Sequence, residues 1–411
     1  MVQPDSVVSV SLEVGCDDMT VIFSLLFYTL LMTSIYLDHN ATTRPLPDVI
    51  EVMSRHFHDS YANPGSRHGE GRRARKALEE ARESIADILG AEPDEVVFTS
   101  GGTESTNMAI FGLTDTQPGT IALTAGEHPA TVESCRQLKQ RGWKLTNIDV
   151  DADGRLSDAS VNDLPWDDLK LVTLILAHNE TGVIQDISKI AEQCRERAIP
   201  FHLDAVQAVG KIDVDFHKLN VTTLALGAHK FYGPRGIGAL LLRKDADLVP
   251  VQFGGHQESG RRPGTESVAL IVGMAKALEC WRDRKTELTA RLVSLRDRLQ
   301  EGLRESCPPV CVNGSLQHRL PNTLNISFPG TDGDAILVAL DLEGIACSLG
   351  STCASGSAEP APALVAMGCP PDVYSSAVRF SLGYENTEDE IDEAIRRIST
   401  VIQRLRFSGR S

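Results

Sequence analysis

Leu224-Ala-Leu-Gly-Ala-His-Lys-Phe-Tyr-Gly-Pro-Arg-Gly236 is the stretch around which the chain is organised. An apolar run from Thr222 to Leu226 predicts a buried strand that ends in small residues. Lys230 follows that end directly, beside His229. Open α/β sheets bind ligands at the carboxyl ends of their strands, so Lys230 is a candidate for a phosphate contact, a salt bridge or a Schiff base. A solvated loop lysine is the simpler interpretation, and residues upstream decide between the two.

The composition indicates a soluble enzyme that acts on small molecules. A length of 411 residues allows two domains and a large core. A net charge of −16 argues against a nucleic-acid surface. The nine cysteines are scattered and form no CxxC pair, so neither a disulfide framework nor a metal site is expected. We therefore expect a reduced, cytoplasmic protein that binds neither nucleic acid nor membrane.

The N-terminal segment differs from the rest of the chain. Residues 20–31 are almost all apolar, but this run is too short to span a bilayer. Residues 1–31 contain no Lys or Arg, unlike a signal peptide. We expect residues 1–34 to be an extension, either disordered or placed before a natural start at Met32. A short amphipathic anchor is the alternative.

From Ile35 onward, apolar runs alternate with helical patterns. The candidate strands are Glu95 to Thr99, Thr120 to Thr124, Lys144 to Val150, Leu171 to Ala177, Pro200 to Asp204, Thr222 to Leu226 and Ile237 to Arg243. The helical patterns between most of them are Gly71 to Leu89, Glu104 to Phe111, Ala130 to Arg141 and Ile187 to Arg197. This alternation predicts an α/β fold with a mainly parallel, seven-stranded sheet and helices on both faces.

The alternation of strands and helices stops after Ile271, where one long helix is predicted to run to about Arg304. A smaller α+β segment follows, with strands near Asn322 to Ser327 and Val378 to Ser381. Thr387 and Glu390 resemble a capping box that opens a last helix ending near Leu405. We predict a large domain over residues 47–286 and a small domain formed by residues 35–46 and 287–411.

Two strand-end loops are candidate ligand sites. Ser100-Gly-Gly-Thr-Glu-Ser-Thr-Asn107 opens a helix, and glycines with a hydroxyl at a helix N-terminus can bind an anion. Alone, this loop fits an ordinary helix cap as well. His128 begins the helix after the second strand, where it would cap that helix, stack on a flat ligand or move a proton.

Three polar residues lie at or just beyond the ends of two later strands. Asn179 lies beyond the strand ending at Ala177, and Asp204 ends a buried strand three residues before Gln207. A buried carboxylate needs a partner, and a protonated ring nitrogen would be a suitable one. A phosphate cradle, a stacking group, a buried Asp and a lysine along one sheet edge together match the needs of pyridoxal 5'-phosphate.

The chain carries the motifs Tyr36-Leu-Asp-His-Asn-Ala-Thr-Thr43, Asn63-Pro-Gly-Ser-Arg-His68, Phe98-Thr-Ser-Gly-Gly-Thr-Glu-Ser105, Glu127-His128, Asn179-Glu-Thr-Gly182, His202-Leu-Asp-Ala-Val-Gln207, His229-Lys230 and Arg262-Pro-Gly-Thr-Glu266. These motifs resemble those of the NifS/IscS group of cysteine desulfurases in the class V aminotransferase family, which has the fold type I architecture. The likeness covers about Ile35 to Leu405.

The resemblance implies a role for each matching residue. It makes Lys230 the Schiff-base lysine, Asp204 the partner of the pyridine nitrogen and His128 a stacking and proton-handling group. It places Gln207 at the ring hydroxyl and Asn179 beside the ring, where Asn179 also contacts the substrate. It assigns phosphate contacts to Gly102, Thr103, His229 and, across a homodimer, Thr265. Arg379 is implied as the group that binds the carboxylate of the substrate.

A second centre lies in Cys347-Ser-Leu-Gly-Ser-Thr-Cys-Ala-Ser-Gly-Ser-Ala358. Small residues dominate this stretch, which predicts a mobile loop. The loop contains no Lys, Arg or His that would lower the pKa of a thiol, so a thiolate must form at another group that the loop approaches. The resemblance aligns Cys353, and not Cys347, with the cysteine that forms a persulfide. Cys353 could also serve as a transient iron–sulfur ligand.

One departure from the family pattern concerns phosphate binding. Gly227 stands where relatives usually carry a hydroxyl residue, three positions before Lys230. The missing side-chain donor is worth on the order of 1 kcal/mol, and the remaining contacts should keep the cofactor bound. Thr352 replaces a common alanine, with little expected consequence.

The implied reaction converts L-cysteine to L-alanine and leaves a persulfide on Cys353 for an iron–sulfur scaffold or another sulfur acceptor. Selenocysteine lyase and cysteine-sulfinate desulfinase activities use the same cofactor residues and stay open as alternatives. A nucleotide-binding dehydrogenase fits poorly, because Gly233-Pro-Arg-Gly-Ile-Gly238 precedes a strand and opens no helix. A non-catalytic interaction protein would hardly carry Lys230 and Cys353 together with the other site residues.

Overall fold

The fold is described from a computed structural model, which covers residues 34–114, 117–349 and 361–408. The strands are β1 (Ile35–Tyr36), β2 (Val96–Thr99), β3 (Thr120–Thr124), β4 (Lys144–Ile148), β5 (Leu169–Ile175), β6 (Phe201–Asp204), β7 (Thr223–Gly227), β8 (Gly238–Leu242), β9 (Cys311–Val312), β10 (Thr323–Ser327), β11 (Ile345–Ala346) and β12 (Ala377–Ser381). The helices are α1 (Pro47–Asp59), α2 (Gly69–Leu89), α3 (Gly102–Leu113), α4 (Pro129–Gln140), α5 (Asp158–Asn162), α6 (Ser188–Glu196), α7 (Phe216–Leu219), α8 (Val268–Ser306), α9 (Gly333–Leu342), α10 (Pro362–Ala366), α11 (Pro371–Tyr374) and α12 (Glu388–Ser408).

The main sheet has seven strands in the order β2-β8-β7-β6-β5-β3-β4. All neighbours are parallel except β8, which runs antiparallel to both β2 and β7. The predicted mainly parallel, seven-stranded sheet is therefore confirmed. Because β8 alone is reversed, the carboxyl ends of β2, β3, β5, β6 and β7 lie at one edge, where the chain can assemble a site.

Successive residues of each strand face opposite sides of the sheet. In β8, Leu241 belongs to one hydrophobic cluster and Leu240 to another. The first cluster contains residues of α2, α6 and α8, and the second contains residues of α3 and α4. Helices thus cover both faces, as the sequence predicts. This double cover explains why the strands are apolar throughout and do not alternate with polar residues.

Helix α2 shows how local sequence sets the helix bounds. Its buried residues, which include Leu78, Ala81 and Ile85, recur at intervals of three and four and form one stripe. The helix ends at Gly90, which adopts the left-handed conformation with φ of 61°. Glycine adopts this conformation without the steric cost that a side chain would impose, so it stops the helix cleanly.

A third hydrophobic cluster joins the two ends of the described chain. It combines Ile35 and Leu37 with residues of α8, α9, α12 and the antiparallel sheet β12-β10-β9. Strand β1 pairs in parallel with β11, and α12 begins with the predicted capping box, in which Thr387 and Glu390 exchange hydrogen bonds of 3.2 Å. Helix α8 contributes to this cluster and to the first one. The domain boundary near residue 287 stays a prediction.

Residues 1–33, including the apolar stretch 20–31, lie outside the described residues. Within the described ranges, no helix combines the length and the apolar character needed to cross a membrane.

Candidate active site

A cavity of about 470 Å³ opens at the carboxyl edge of the main sheet. It is lined by Asp38, Asn40, Ala41, Gly102, Thr103, His128, Pro129, Ile175, Asn179, Asp204, Val206, Gln207, His229, Lys230, Ser348 and Arg379. The structure therefore brings most of the sequence-predicted site residues to one place, although they come from loops spread over the whole chain.

Lys230 ends a short 3₁₀ turn that follows β7. Its Nζ donates hydrogen bonds of 2.7 Å to the backbone carbonyls of Asn40 and Ala41. Burial and the nearby Arg379 guanidinium lower the pKa of Lys230 to about 8. About a tenth of this amine is therefore neutral at pH 7, far more than for an ordinary lysine, and this form can act as a nucleophile or accept a proton.

Asp204 is the last residue of β6 and is almost fully buried. Its Oδ1 accepts a hydrogen bond of 2.9 Å from the backbone N–H of Val206. Burial raises the pKa of Asp204, while the neighbouring His128 ring, the hydrogen bond from Val206 and the nearby Lys230 oppose that shift. A cationic ring nitrogen beside this carboxylate would stabilise its charged form, and the carboxylate would in turn keep that nitrogen protonated.

His128 is the N-cap residue of α4, and its Nδ1 accepts a hydrogen bond of 3.1 Å from the backbone N–H of Ala130. Burial lowers the pKa of His128. The ring is therefore neutral with its hydrogen on Nε2. The structure thus gives His128 the capping role, and its place in the cavity wall leaves the stacking and proton-handling roles available.

Glu127 anchors the turn before His128. Its Oε1 accepts hydrogen bonds from the Thr124 hydroxyl and from the backbone N–H of Ile175, so it ties the end of β3 to the end of β5. Complete burial raises the pKa of Glu127 to about 8, which favours its protonated form. This carboxyl group therefore links the two strand ends in its neutral form and fixes the position of the neighbouring His128.

The glycine turn after β2 forms one end of the cavity. Gly101 caps α3 without a side-chain hydrogen bond, and a Cβ on Gly102 would lie 2.5 Å from the Val206 side chain. Only glycine lets the turn approach Val206 so closely. His229, on the neighbouring loop, contacts the Thr42 hydroxyl at 3.2 Å, and burial lowers its pKa to about 4. The N-terminus of α3 is therefore a source of positive potential for an anion here, and a neutral His229 is not.

Arg379 enters the cavity from β12. It donates hydrogen bonds to the Asn179 carbonyl at 2.9 Å and to Asp38 at 2.6 Å. Among the described residues, neither the Nε of Arg379 nor the Oδ1 of Asn179 has a hydrogen-bond partner, although both are buried. Buried polar atoms are normally satisfied, so these two atoms are exceptions, and both belong to residues of the cavity wall.

Three predicted site residues do not line this cavity, and the first of them is Gly227, which ends β7. Thr265 is exposed and does not line the cavity. Cys353 lies outside the described residues, but the segment leading to it is held close by, because Ser348 and Arg379 form a reciprocal backbone pair. Leu349, the last described residue before Cys353, therefore stands next to the cavity wall.

Sequence reasoning missed the contribution of residues 35–46, which form an N-terminal arm. Asn40 and Asp38 line the cavity and contact Lys230 and Arg379, yet no role is assigned to either residue above. Both belong to the motif Tyr36 to Thr43, so the signal was present. The contacts span about 190 and 340 positions of the sequence, and no local pattern could indicate them.

Comparison with known proteins gives consistent matches. The family model described as aminotransferase class-V matches residues 35–394. A cysteine desulfurase from Nostoc sp. is 42% identical and covers 91% of this chain and 94% of its own length. Cysteine desulfurase NifS from Azotobacter vinelandii is 41% identical with the same coverage. A solved NifS-like protein has a TM-score of 0.85 and 34% identity, and covers 91% of this chain and all of its own.

Proposed function

The chain belongs to the class V aminotransferase family and acts as a cysteine desulfurase, and we propose that it takes sulfur from L-cysteine with pyridoxal phosphate bound at Lys230 and Cys353 as the first acceptor. One observation carries the proposal: Lys230, Asp204, His128 and Arg379 meet around one cavity. Purified protein incubated with L-cysteine and a reductant should release alanine and sulfide in equal amounts. Sulfide without alanine would contradict it.

The residues present fit the cofactor. The turn at Gly101 and Gly102 offers a helix N-terminus for phosphate, and the buried Asp204 offers a carboxylate for the ring nitrogen. Lys230 supplies the amine for the Schiff base, and His128 supplies a flat neutral ring. Bound there, the cofactor would act as an electron sink for the carbon that loses its proton.

The protein's own groups would then perform four tasks. Arg379, which lines the cavity, would hold the substrate carboxylate. Lys230, neutral near its lowered pKa, accepts the proton from the α-carbon. Asp204 keeps the cofactor nitrogen protonated. The thiolate of Cys353 attacks the substrate sulfur, so the carbon–sulfur bond breaks and alanine and a persulfide remain.

Thr265 completes the phosphate site across a homodimer in this proposal. Arg262, on the same loop, forms an ion pair of 2.8 Å with Glu104 of the glycine turn, which holds the loop beside the cradle. The exposed Thr265 is then available to a partner subunit. The acceptor of the persulfide would be an iron–sulfur scaffold or another sulfur-acceptor protein, in a cytoplasmic setting that suits nine scattered cysteines.

The pKa of Lys230 predicts how fast the apoenzyme takes up its cofactor. Only the neutral amine attacks the aldehyde, so the rate should rise about tenfold per pH unit below pH 8 and level off above it. The measurement is the growth of the visible absorbance between pH 6 and pH 10. For a free lysine derivative the rate should rise to about pH 10.4, and the same rise in the protein would contradict the lowered pKa.

The hydroxyl group that relatives carry at the position of Gly227 can be restored by substitution. A Cβ at this position would lie 3.4 Å from the backbone nitrogen of Gly102, and the φ of Gly227, −138°, suits any residue. Gly227→Ser should therefore add a hydroxyl donor at the phosphate cradle and bind the cofactor about fivefold more tightly. Equilibrium titration of the apoenzyme measures this. Gly227→Ala is the matched control, and equal gains in both variants would exclude the hydroxyl as the cause.

A further inference from the structure

Lys211 is a buried lysine that the mechanism above does not use. Only 8% of its surface is exposed, and its Nζ donates hydrogen bonds to Oδ1 of Asn40 at 2.7 Å and to Oε1 of Gln207 at 2.6 Å. In the part of the chain that the structure describes, no carboxylate lies within ion-pair distance of Lys211. Burying an amine without an ion pair is costly, which indicates a task other than stability.

The contact with Lys211 determines which way the amide of Gln207 faces. Nζ of Lys211 donates to the amide oxygen of Gln207, so this oxygen faces Lys211 and the amide nitrogen faces away. That nitrogen donates to the Asn40 carbonyl at 2.9 Å with one of its two hydrogens. Gln207 lines the cavity, so its second N–H remains for an acceptor on a ligand.

Lys211 also orients Asn40, which contacts Lys230 directly. The Asn40 side chain accepts from Lys211 and from Asn322 at 3.2 Å, and it donates to Thr323 at 2.9 Å. With the side chain fixed in this way, the backbone carbonyl of Asn40 accepts a 2.7 Å hydrogen bond from Lys230. One lysine thus holds two groups that face the reactive amine and the ring of a bound cofactor.

We propose that Lys211 is a positioning residue that turns the N–H of Gln207 toward the ring oxygen of the cofactor and fixes Asn40 against Lys230. The proposal rests on the function proposed above, because it requires the cofactor. Burial, together with the charges of Lys230 and Arg379, lowers the pKa of Lys211 well below its ordinary value. Either protonation state can donate to both amide oxygens, so the orientation of Gln207 is kept.

Replacing Lys211 by methionine tests the proposal, since methionine keeps most of the length and removes both donors. Without Lys211, Gln207 can turn its oxygen toward the ring oxygen, and that oxygen loses a donor that stabilises its negative charge. The pKa of the visible chromophore of the bound cofactor should rise, and the dissociation constant of the cofactor should increase about tenfold. Absorbance titration measures the pKa of the chromophore, and equilibrium binding measures the dissociation constant of the cofactor. The exposed Lys218→Met is the matched control and should match the wild type.

Repeating the substitution in Gln207→Leu protein distinguishes a positioning role of Lys211 from a general structural role. If Lys211 acts through Gln207, the Lys211→Met change should have little further effect on the chromophore pKa in Gln207→Leu protein, because the group that it orients is gone. An equal shift in both backgrounds, or none in either, would overturn the proposal. Circular dichroism checks folding, and Lys211→Gln serves if the methionine variant does not fold. A wild type that binds no cofactor would instead refute the proposed function.

Discussion

Lys230→Ala is expected to abolish the visible absorbance of the bound cofactor and to reduce turnover by at least about a thousandfold. The amine is the covalent attachment in the proposed site, and it is also the base that moves the α-proton. Without it, the cofactor depends on the phosphate cradle and on Asp204 alone. Absorbance spectra and alanine assays of the purified variant measure the two losses.

Borohydride reduction gives this first prediction its sharpest form. Reduction of the wild type should trap the cofactor on Lys230, as peptide mass mapping would show. Lys211 is the obvious rival, because it is also buried and also contacts Asn40. Trapped cofactor on Lys211 would contradict the assignment. The partly exposed Lys189→Ala is a suitable control and should keep the spectrum and the activity.

Cys353→Ser is expected to stop sulfur transfer while leaving the cofactor spectrum unchanged. Cofactor attachment needs Lys230 and no thiol, whereas the attack on the substrate sulfur needs a thiolate. A serine hydroxyl ionises far too weakly to replace it, so alanine production should fall by about a thousandfold or more. Intact-mass analysis of the wild type after exposure to cysteine should show added sulfur that maps to Cys353.

Cys347→Ser is the matched control for this experiment. Cys347 is partly buried just after β11, and we expect neither loss of activity on its replacement nor rescue of the Cys353 variant. Near wild-type alanine production by Cys353→Ser would refute the persulfide mechanism. It would favour a lyase such as a cysteine-sulfinate desulfinase, in which the sulfur-containing group leaves without a nucleophilic thiol.

Much of the fold could be predicted because the strands are short apolar runs between turn residues. Thr120 to Thr124 has the predicted bounds, whereas β5 begins at Leu169, two residues earlier than predicted, because the exposed Lys170 interrupts its apolar pattern. The reversal of β8 was not predicted. It follows from the short link after β7, since a parallel partner would need a crossover of a dozen residues or more.

Some of the site residues could likewise be predicted from the sequence, and others could not. Four site residues lie at the carboxyl ends of strands, so the topology of the sheet alone brings them together. They are Asp204, Asn179, His128 and Lys230. Lys211 could not be recognised from the sequence, because its partners Asn40 and Gln207 identify its role only once the arm is folded against the sheet. Cys353 was recognised through its resemblance to a family and not through any structural pattern.

The pairing of β1 with β11 has a consequence for the order of folding during synthesis. Ile35 leaves the ribosome early, but its register partner Ile345 follows about 310 residues later. At about 5 to 20 residues per second, the arm waits roughly 15 to 60 seconds for its strand partner. The carbonyls that hold Lys230 belong to that arm. A nascent chain therefore presents an incomplete lysine site until translation is nearly finished, which delays cofactor capture to the last stage of folding.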